Sequence, residues 1–308
     1  MDDFLRALPK SELHLHLEGS VEPETLFELD PSTPLEDYRA LYHYSDFDAF
    51  LRAFGVVGRR LRTPADYGLI TRRLLESLHA QNVQYAEIII AAGVVLWKEQ
   101  EFGPIFDAIY AAAAASPVRV RWIFDAVRQF GAAQAMQVAQ LAAERIDRDV
   151  AAIGIGGSEE RGPASWFTDV FAFARSAGLH LHAHAGESTG PQSIWDALAL
   201  GVERIGHGIR AIEDPALLAH LRERDIPLEI CITSNLVTGV VRSLEEHPVR
   251  RLFDAGVPLT LNSDDPAMFR CSLTGEFQLA RERFGFTETE LRAVAGNGFR
   301  YAYGAQAR

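Results

Sequence analysis

The chain has 308 residues, 48% hydrophobic and 23% charged, which provides for a large buried core and excludes a disordered or fibrous protein. A net charge of −12 argues against a polyanionic partner, whether nucleic acid or an acidic membrane face. The most apolar window, AEIIIAAGVVLW at 86–97, is too short to span a bilayer and carries Glu87.

The stretch MDDFLRALPK has no apolar signal core. Cys231 and Cys271 form no CxxC pair, so a disulfide scaffold is not expected. Both observations favour a cytoplasmic protein.

Short apolar strand candidates alternate along the chain with amphipathic helical stretches. The first, ELHLHL (12–17), places His14 and His16 two residues apart. In a strand, residues i and i+2 point to the same side, so these imidazoles converge. A metal ion would satisfy both rings, and so would hydrogen bonds in a core; the stretch alone fits either. The segment 18–83 is far longer than one crossover and predicts helices laid over one mouth of the fold. There follow YAEIII (85–90), VRVRWIF (118–124), VAAIGIG (150–156), LHLHAH (179–184), ERIGH (203–207), PLEICI (227–232) and PLTLNS (258–263). Between them lie TRRLLESLHAQ, AQAMQVAQLAAERI, DVFAFARSAG, PALLAHLRER and HPVRRLFDAG, two of them ending in a glycine that stops a helix. This alternation predicts one α/β domain over 1–308, a (β/α)8 TIM barrel with a helical insertion after strand 1. A doubly wound open sheet is the alternative, but no GxGxxG turn follows the first strand.

Barrel enzymes carry their chemistry at the C-terminal ends of the strands. Here strand 1 ends with His14 and His16, and strand 4 with Gly156, Gly157, Ser158 and Glu159. Strand 5 ends with His184, followed by Glu187; strand 6 with His207 between two glycines; strand 8 with Asp264 and Asp265. Imidazoles and carboxylates recurring at one face point to a metal site, because both are usual zinc ligands. His180 and His182 lie below that face and read as structural histidines with ordinary hydrogen bonds. Only Lys10 and Lys98 are lysines, and neither is on strand 4. The carboxylated lysine that bridges paired metals in some barrel hydrolases is therefore missing. One metal is expected, in a site that holds a water or hydroxide.

LPKSELHLHLEGS, HAGES, ERIGHG and LNSDDPAMF, in this order and across nearly the whole chain, resemble the signatures of the adenosine deaminase family. The resemblance implies a barrel with one Zn2+ that replaces the 6-amino group of a purine by oxygen and releases ammonia. The HxE and PCxxC pattern of cytidine-type deaminases is absent. Carried over by position, the resemblance implies His14, His16, His184 and Asp264 as zinc ligands. It implies Glu187 as the proton donor to purine N1, His207 as the residue that orients the attacking water, Asp265 as the partner of N7 and the Gly157 N–H as the partner of N3. His16 and Glu18 would lie beside the substrate.

Two positions bear on the substrate. Glu18 stands where nucleoside deaminases of the family carry Asp, and it matches the adenine deaminase branch. Gly157 and the GHG around His207 match the nucleoside branch instead. GIGGSEERGP and HAGESTGP resemble aminodeoxyfutalosine deaminases, whose substrate is an adenosine-like nucleoside bearing a carboxyphenyl group on a keto linker at its 5′ end. The expected substrate is a small-molecule 6-aminopurine nucleoside, adenosine or aminodeoxyfutalosine. Adenine or an N6-substituted adenine ranks behind it, and a non-catalytic nucleoside-binding barrel behind that. Arg52, Arg59, Arg60 and Arg62 read either as a solvated helix face or as a clamp for a substrate carboxylate. Arg59 and Arg62 are spaced to share one helix face.

Overall fold

The computed structural model describes residues 3–304. Eight parallel strands form one sheet in chain order: β1 (Lys10–His16), β2 (Val83–Ile90), β3 (Arg119–Val127), β4 (Val150–Gly156), β5 (His180–Ala185), β6 (Arg204–His207), β7 (Leu228–Ile230) and β8 (Leu259–Leu261). Every predicted strand is present, with boundaries shifted by three residues at most. The sheet curls until Leu15 and Asp264 form a parallel bridge, which makes a nearly closed barrel with helices around it. At this seam Asp264 donates its N–H to the His14 carbonyl at 3.1 Å and accepts from the His16 N–H at 2.8 Å.

Strand alternation divides the residues into two sets. One set, including Leu15, Ile88, Phe124, Ile153 and Leu181, packs against the helices and forms the main core. The other set lines the barrel interior, where Ile89, Ile123 and Ala152 form a small separate apolar cluster with Tyr303. The rest of the interior is polar.

The long segment after β1 is only partly a cover over the mouth, which corrects the sequence expectation. Its helix Pro64–Ala80 packs against the helix Phe102–Ala113 and β2, as an ordinary outer barrel helix does. Its start is set by a Thr63–Asp66 capping box with Pro64 in the first turn. Ile70, Leu74 and Leu78 give it an apolar stripe toward the barrel. The helix Phe47–Arg60 is the true lid, capped by Asp46 accepting from the Ala49 N–H at 2.7 Å. Phe47, Phe50, Leu51 and Phe54 recur at i, i+3, i+4 and i+7 and face the mouth.

Lys98 Nζ donates to the carbonyls of Gly58 and Leu61, each at 2.6 Å, and so ties down the C-terminal end of the lid. Arg60 pairs with Asp30 at 2.8 Å at the same end. This helix stops at Arg60, so Arg62 leaves the helical register and turns to Asp30 at 3.5 Å. The expected shared face of Arg59 and Arg62 does not form.

A polar axis fills the lower barrel. Glu229 accepts from Arg204 Nε at 2.6 Å, and Arg204 also pairs with Glu87 and donates to the Tyr301 carbonyl at 2.7 Å. The Arg204 guanidinium lies 3.7 Å from the centroid of Tyr303, which closes the bottom. All three charged groups are buried, so each depends on its partners to offset desolvation. Arg204→Leu would leave two buried carboxylates without their cation. It is expected to destabilise the fold by about 3–5 kcal/mol, measured by urea unfolding; a loss under about 1 kcal/mol would mean the axis is not structural.

Candidate active site

The strand ends bring together the residues that the motifs singled out. His14 and His16 project from β1, His184 from β5, His207 ends β6, and Asp264 follows β8. One ligand atom each from His14, His16, His184 and Asp264 lies within 4.8 Å of all the others. His16 Nε2 is 3.1 Å from His184 Nε2 and 3.4 Å from Asp264 Oδ1, and His14 Nε2 is 3.5 Å from Asp264 Oδ1.

These spacings fit a metal. Ligands 2.0–2.1 Å from a tetrahedral centre lie about 3.3 Å apart. His14 Nε2 is buried without a hydrogen-bond partner, although its Nδ1 is bonded to Glu229 at 2.8 Å. A carboxylate on the far nitrogen of an imidazole, which frees the near one, is the usual support for a metal-binding histidine. The donor set of three imidazoles and one carboxylate suits zinc.

The electrostatics are uneven across the cluster. Burial alone would lower both β1 imidazoles, but at His14 the Asp264 and Glu229 carboxylates outweigh it and raise the ring to about 10. His16 has only the Asp264 charge in its favour, so burial leaves it neutral at about 3. Glu187 is raised well above the usual carboxylate range by burial, then by the charges of Asp264 and Glu159. Asp265 is raised by burial and by the charge of its neighbour Asp264, and its Oδ1 has no partner.

His207 and Asp264 both adopt left-handed backbone, with φ of 61° and 63°. That is costly for residues other than glycine and is frequent at functional sites. The turn aims His207 Nε2 between Glu187 Oε2 at 3.7 Å and Asp264 Oδ2 at 3.8 Å. Its tautomer is set by a chain of bonds. The Val249 N–H can only donate, and it donates to His247 Nδ1 at 3.2 Å. His247 Nε2–H therefore donates to Asn235 Oδ1, and the Asn235 amide donates to His207 Nδ1, each at 3.2 Å. His207, held neutral at about 4 by burial, thus carries its proton on Nε2, toward the site.

The remaining expected residues are placed as follows. Gly157, at φ 89°, lines the cavity between the barrel mouth and the lid together with His16, His184, Glu187, His207, Asp264 and Asp265. A side chain at Gly19 would collide with Asp265, which explains the glycine after Glu18. Glu18 itself does not reach the cavity wall. The turn Glu18–Ser20 points its carboxylate at the Ala91 N–H, 3.2 and 3.3 Å from its two oxygens. His180 is half-exposed and pairs with Glu203, and His182 is buried and bonded to Glu229 at 2.7 Å. Both carry the ordinary hydrogen bonds expected of them.

Among the four arginines, Arg59 alone lines the cavity; Arg52 lies 4.0 Å from Asp46 on the exposed side of the lid. Sequence reading missed Glu229, Asn235 and His247, and also Asp125, a buried carboxyl on the cavity wall. The legible signal was a charge at an inward position of an apolar strand, as with Glu229 in PLEICI and Asp125 in WIFDAV. Asn235 and His247 carried no such pattern.

A parallel barrel with histidines and a carboxylate gathered at its C-terminal mouth has the layout of the metal-dependent hydrolase barrels. The adenosine deaminase family profile matches residues 9–308, so the chain belongs to the adenosine deaminase family. It is a hydrolase acting on C–N bonds, a deaminase of adenine-type substrates. It is 40% identical over 310 residues to the aminodeoxyfutalosine deaminase of Streptomyces coelicolor, covering 96% of this chain and 80% of that one. The crystal structure of adenine deaminase from Arthrobacter aurescens superposes with a TM-score of 0.92 at 30% identity, over 98% of this chain and 96% of the other. An amidohydrolase from Burkholderia ambifaria with bound Zn superposes with a TM-score of 0.91 at 27% identity, over 97% and 87% of the two chains. Among the described residues no helix is long and apolar enough to cross a membrane.

Glu229 and Asn235 support different histidines, so their loss should separate. Glu229→Gln is expected to weaken metal binding about 10–100-fold in a chelator competition. Asn235→Leu should lower kcat by about the same factor with metal affinity unchanged. Equal metal affinity in both variants would contradict this division.

Proposed function

We propose that the chain binds one zinc ion through His14, His16, His184 and Asp264 and deaminates a 6-aminopurine nucleoside extended at its 5′ end, of the aminodeoxyfutalosine type. When bound, zinc acts as a Lewis acid that brings the pKa of water to about 7. The chain's own residues do the rest. Glu187 gives a proton to purine N1, which makes C6 electrophilic. The Nε2–H of His207 orients the water oxygen that adds to C6. Asp265 meets N7 and the Gly157 N–H meets N3. The C6–N6 bond then breaks; one water proton goes to the amine, which leaves as ammonia, and the other restores Glu187, so that one water is consumed for each 6-oxopurine formed.

The observation that carries the substrate reading is the outer half of the cavity. Phe47, Phe50 and Phe54 of the lid face Trp97 and Phe130, whose rings stack at 5.8 Å, and Arg59 stands among them. Adenine alone would leave this aromatic lobe empty. An aryl group would fill it, and Arg59, which has no ionic partner among the described residues, would meet an aryl carboxylate. The 40% identity to an aminodeoxyfutalosine deaminase supports the same substrate. Adenosine is the second nucleoside. Deamination of free adenine is the other reading, favoured by Glu18 and by the likeness to the Arthrobacter enzyme.

The zinc-loaded protein should be assayed on aminodeoxyfutalosine, adenosine, 2′-deoxyadenosine, methylthioadenosine and adenine by the change in purine absorbance. Aminodeoxyfutalosine is expected to show the highest kcat/KM. Arg59→Gln should cost about 1.5–3 kcal/mol on that substrate, the range for a charge-assisted bond, and almost nothing on adenosine. Equal losses on both, or a preference for adenine, would overturn the substrate reading.

A further inference from the structure

The side chain of Glu187 is buried in the cavity wall, yet it follows directly on Gly186 in a loop, where a carboxyl would ordinarily swing. What holds the backbone beneath it is a second carboxylate that the deamination chemistry does not use. Glu159, in the loop after β4, is buried and points beneath the turn that carries Glu187. One of its oxygens accepts from the backbone N–H of Glu187 at 3.0 Å and of Ser188 at 2.8 Å, and from the Ser188 hydroxyl at 3.2 Å. The other accepts from the Gly186 N–H and the Thr189 hydroxyl, both at 2.8 Å, and from the Ser193 hydroxyl.

Such a concentration of donors on one buried group is more than satisfying that group requires. It binds consecutive amides of the Gly186–Ser188 turn to a single rigid point. Gly186 itself has φ 64°, and a side chain there would collide with Ile194, so the turn has little other freedom. The other end is held by Arg128, whose guanidinium donates to the His184 carbonyl and to the Gly162 carbonyl at 2.7 Å.

We propose that Glu159 is a positioning residue for the deamination: its carboxylate fixes the Glu187 turn in the orientation that reaches the purine and places a permanent negative charge behind the proton donor. The proposal rests on Glu187 being that donor. Burial alone would raise the Glu159 carboxyl, but the bond from Ser193, the charge of Arg128 and the bonds from Ser188 and Thr189 outweigh it and keep Glu159 ionised. Glu187 faces Asp264 after β8, Glu159 after β4, Asp265 and His207 from the rim, and, acting in the opposite direction, the His14 imidazole and the Arg128 guanidinium. Among these, Glu159 alone contacts the backbone of the donor and carries a charge that disfavours the donor's ionisation.

The sign of the pH effect follows. Glu187 works in its protonated form, so activity is lost as pH rises through its pKa. Removing the Glu159 charge lowers that pKa and moves the alkaline limb of kcat/KM to lower pH. The experiment compares wild type, E159Q, E159D, E187Q and the E159Q/E187Q double variant, zinc-loaded, on the best substrate of the panel. In E159Q kcat is expected to fall about 10–100-fold, part of the 10²–10⁴-fold that a placed acid contributes. KM should stay within about threefold, metal content should be unchanged, and the alkaline limb should move to lower pH. E159D keeps the charge but shortens the reach, so kcat should fall with the limb nearly in place. Because Glu159 acts through Glu187, the double variant should be no slower than E187Q alone.

An E159Q profile that superimposes on wild type while E187Q is inactive overturns this proposal alone, and so do losses that multiply in the double variant. An active enzyme whose E187Q variant stays within tenfold of wild type overturns the donor assignment and this proposal with it. Should E159Q fail to fold, Thr189→Val with Ser193→Ala strips two donors from the same carboxylate oxygen. A fall in kcat at constant KM that vanishes in the E187Q background then supports the proposal, and an undiminished further loss in that background overturns it.

Discussion

Asp264 gives its backbone N–H to His14 and takes one from His16, and the rest of the site depends on this exchange. It is the join between the last strand and the first, so closing the barrel and gathering three of the four candidate ligands are one event. The left-handed backbone at Asp264 costs about 1–3 kcal/mol, a strain that the two seam bonds and the surrounding contacts sustain. The carboxylate, turned inward by that backbone, meets the β1 imidazoles at 3.4 and 3.5 Å. The Asp264 carboxyl is held well below the usual range, because the His14 imidazole beside it outweighs the effect of burial.

Below the seam the barrel interior is charged and rigid; above it the lid is aromatic. The two halves do different work. Glu229 holds His14 and His182 from beneath and is itself held by Arg204, so the near nitrogen of His14 has one orientation. The phenylalanines of the lid line the space above with apolar surface, beside which charges act in a lower dielectric than in bulk water. The lid's C-terminal end is fixed by Lys98 and Arg60, whereas its start is tied to the loop after β4 by an exposed pair, Arg161 with Asp48 at 3.2 Å. Exposed pairs of this kind are weak, so substrate entry at the Asp48 end would cost the fold little.

Much of this was legible in the sequence for a physical reason. Parallel strands buried on both faces read as apolar runs, so a histidine or carboxylate within one stands out, and the C-terminal rule of barrels says which end matters. His14, His16, His184, His207 and Asp264 stand out this way; the family resemblance implies four of them as ligands, and the structure brings His14, His16, His184 and Asp264 together. The lid was misread because the segment after β1 contains both a cover and an ordinary barrel helix, and amphipathic periodicity is the same for each. Arg59 and Arg62 appear to share a face because no glycine stands at the helix end at Arg60, and Pro64, the first residue to interrupt the pattern, comes four residues later. Glu18 is placed beside the substrate by the family resemblance alone, and in the structure the turn after His16 sends its carboxylate to the Ala91 N–H. The chain Val249–His247–Asn235–His207 could not be read at all, since it joins side chains from separate elements with no common spacing.

The central claim is that one buried cluster at the seam holds a single metal and that the charged axis beneath it holds none. Anomalous diffraction at the zinc edge, on crystals of the zinc-loaded protein, tests it most directly. The account predicts one peak per chain, bounded by His14, His16, His184 and Asp264. A second peak of comparable height, or a single peak displaced to His182 and Glu229, would contradict it.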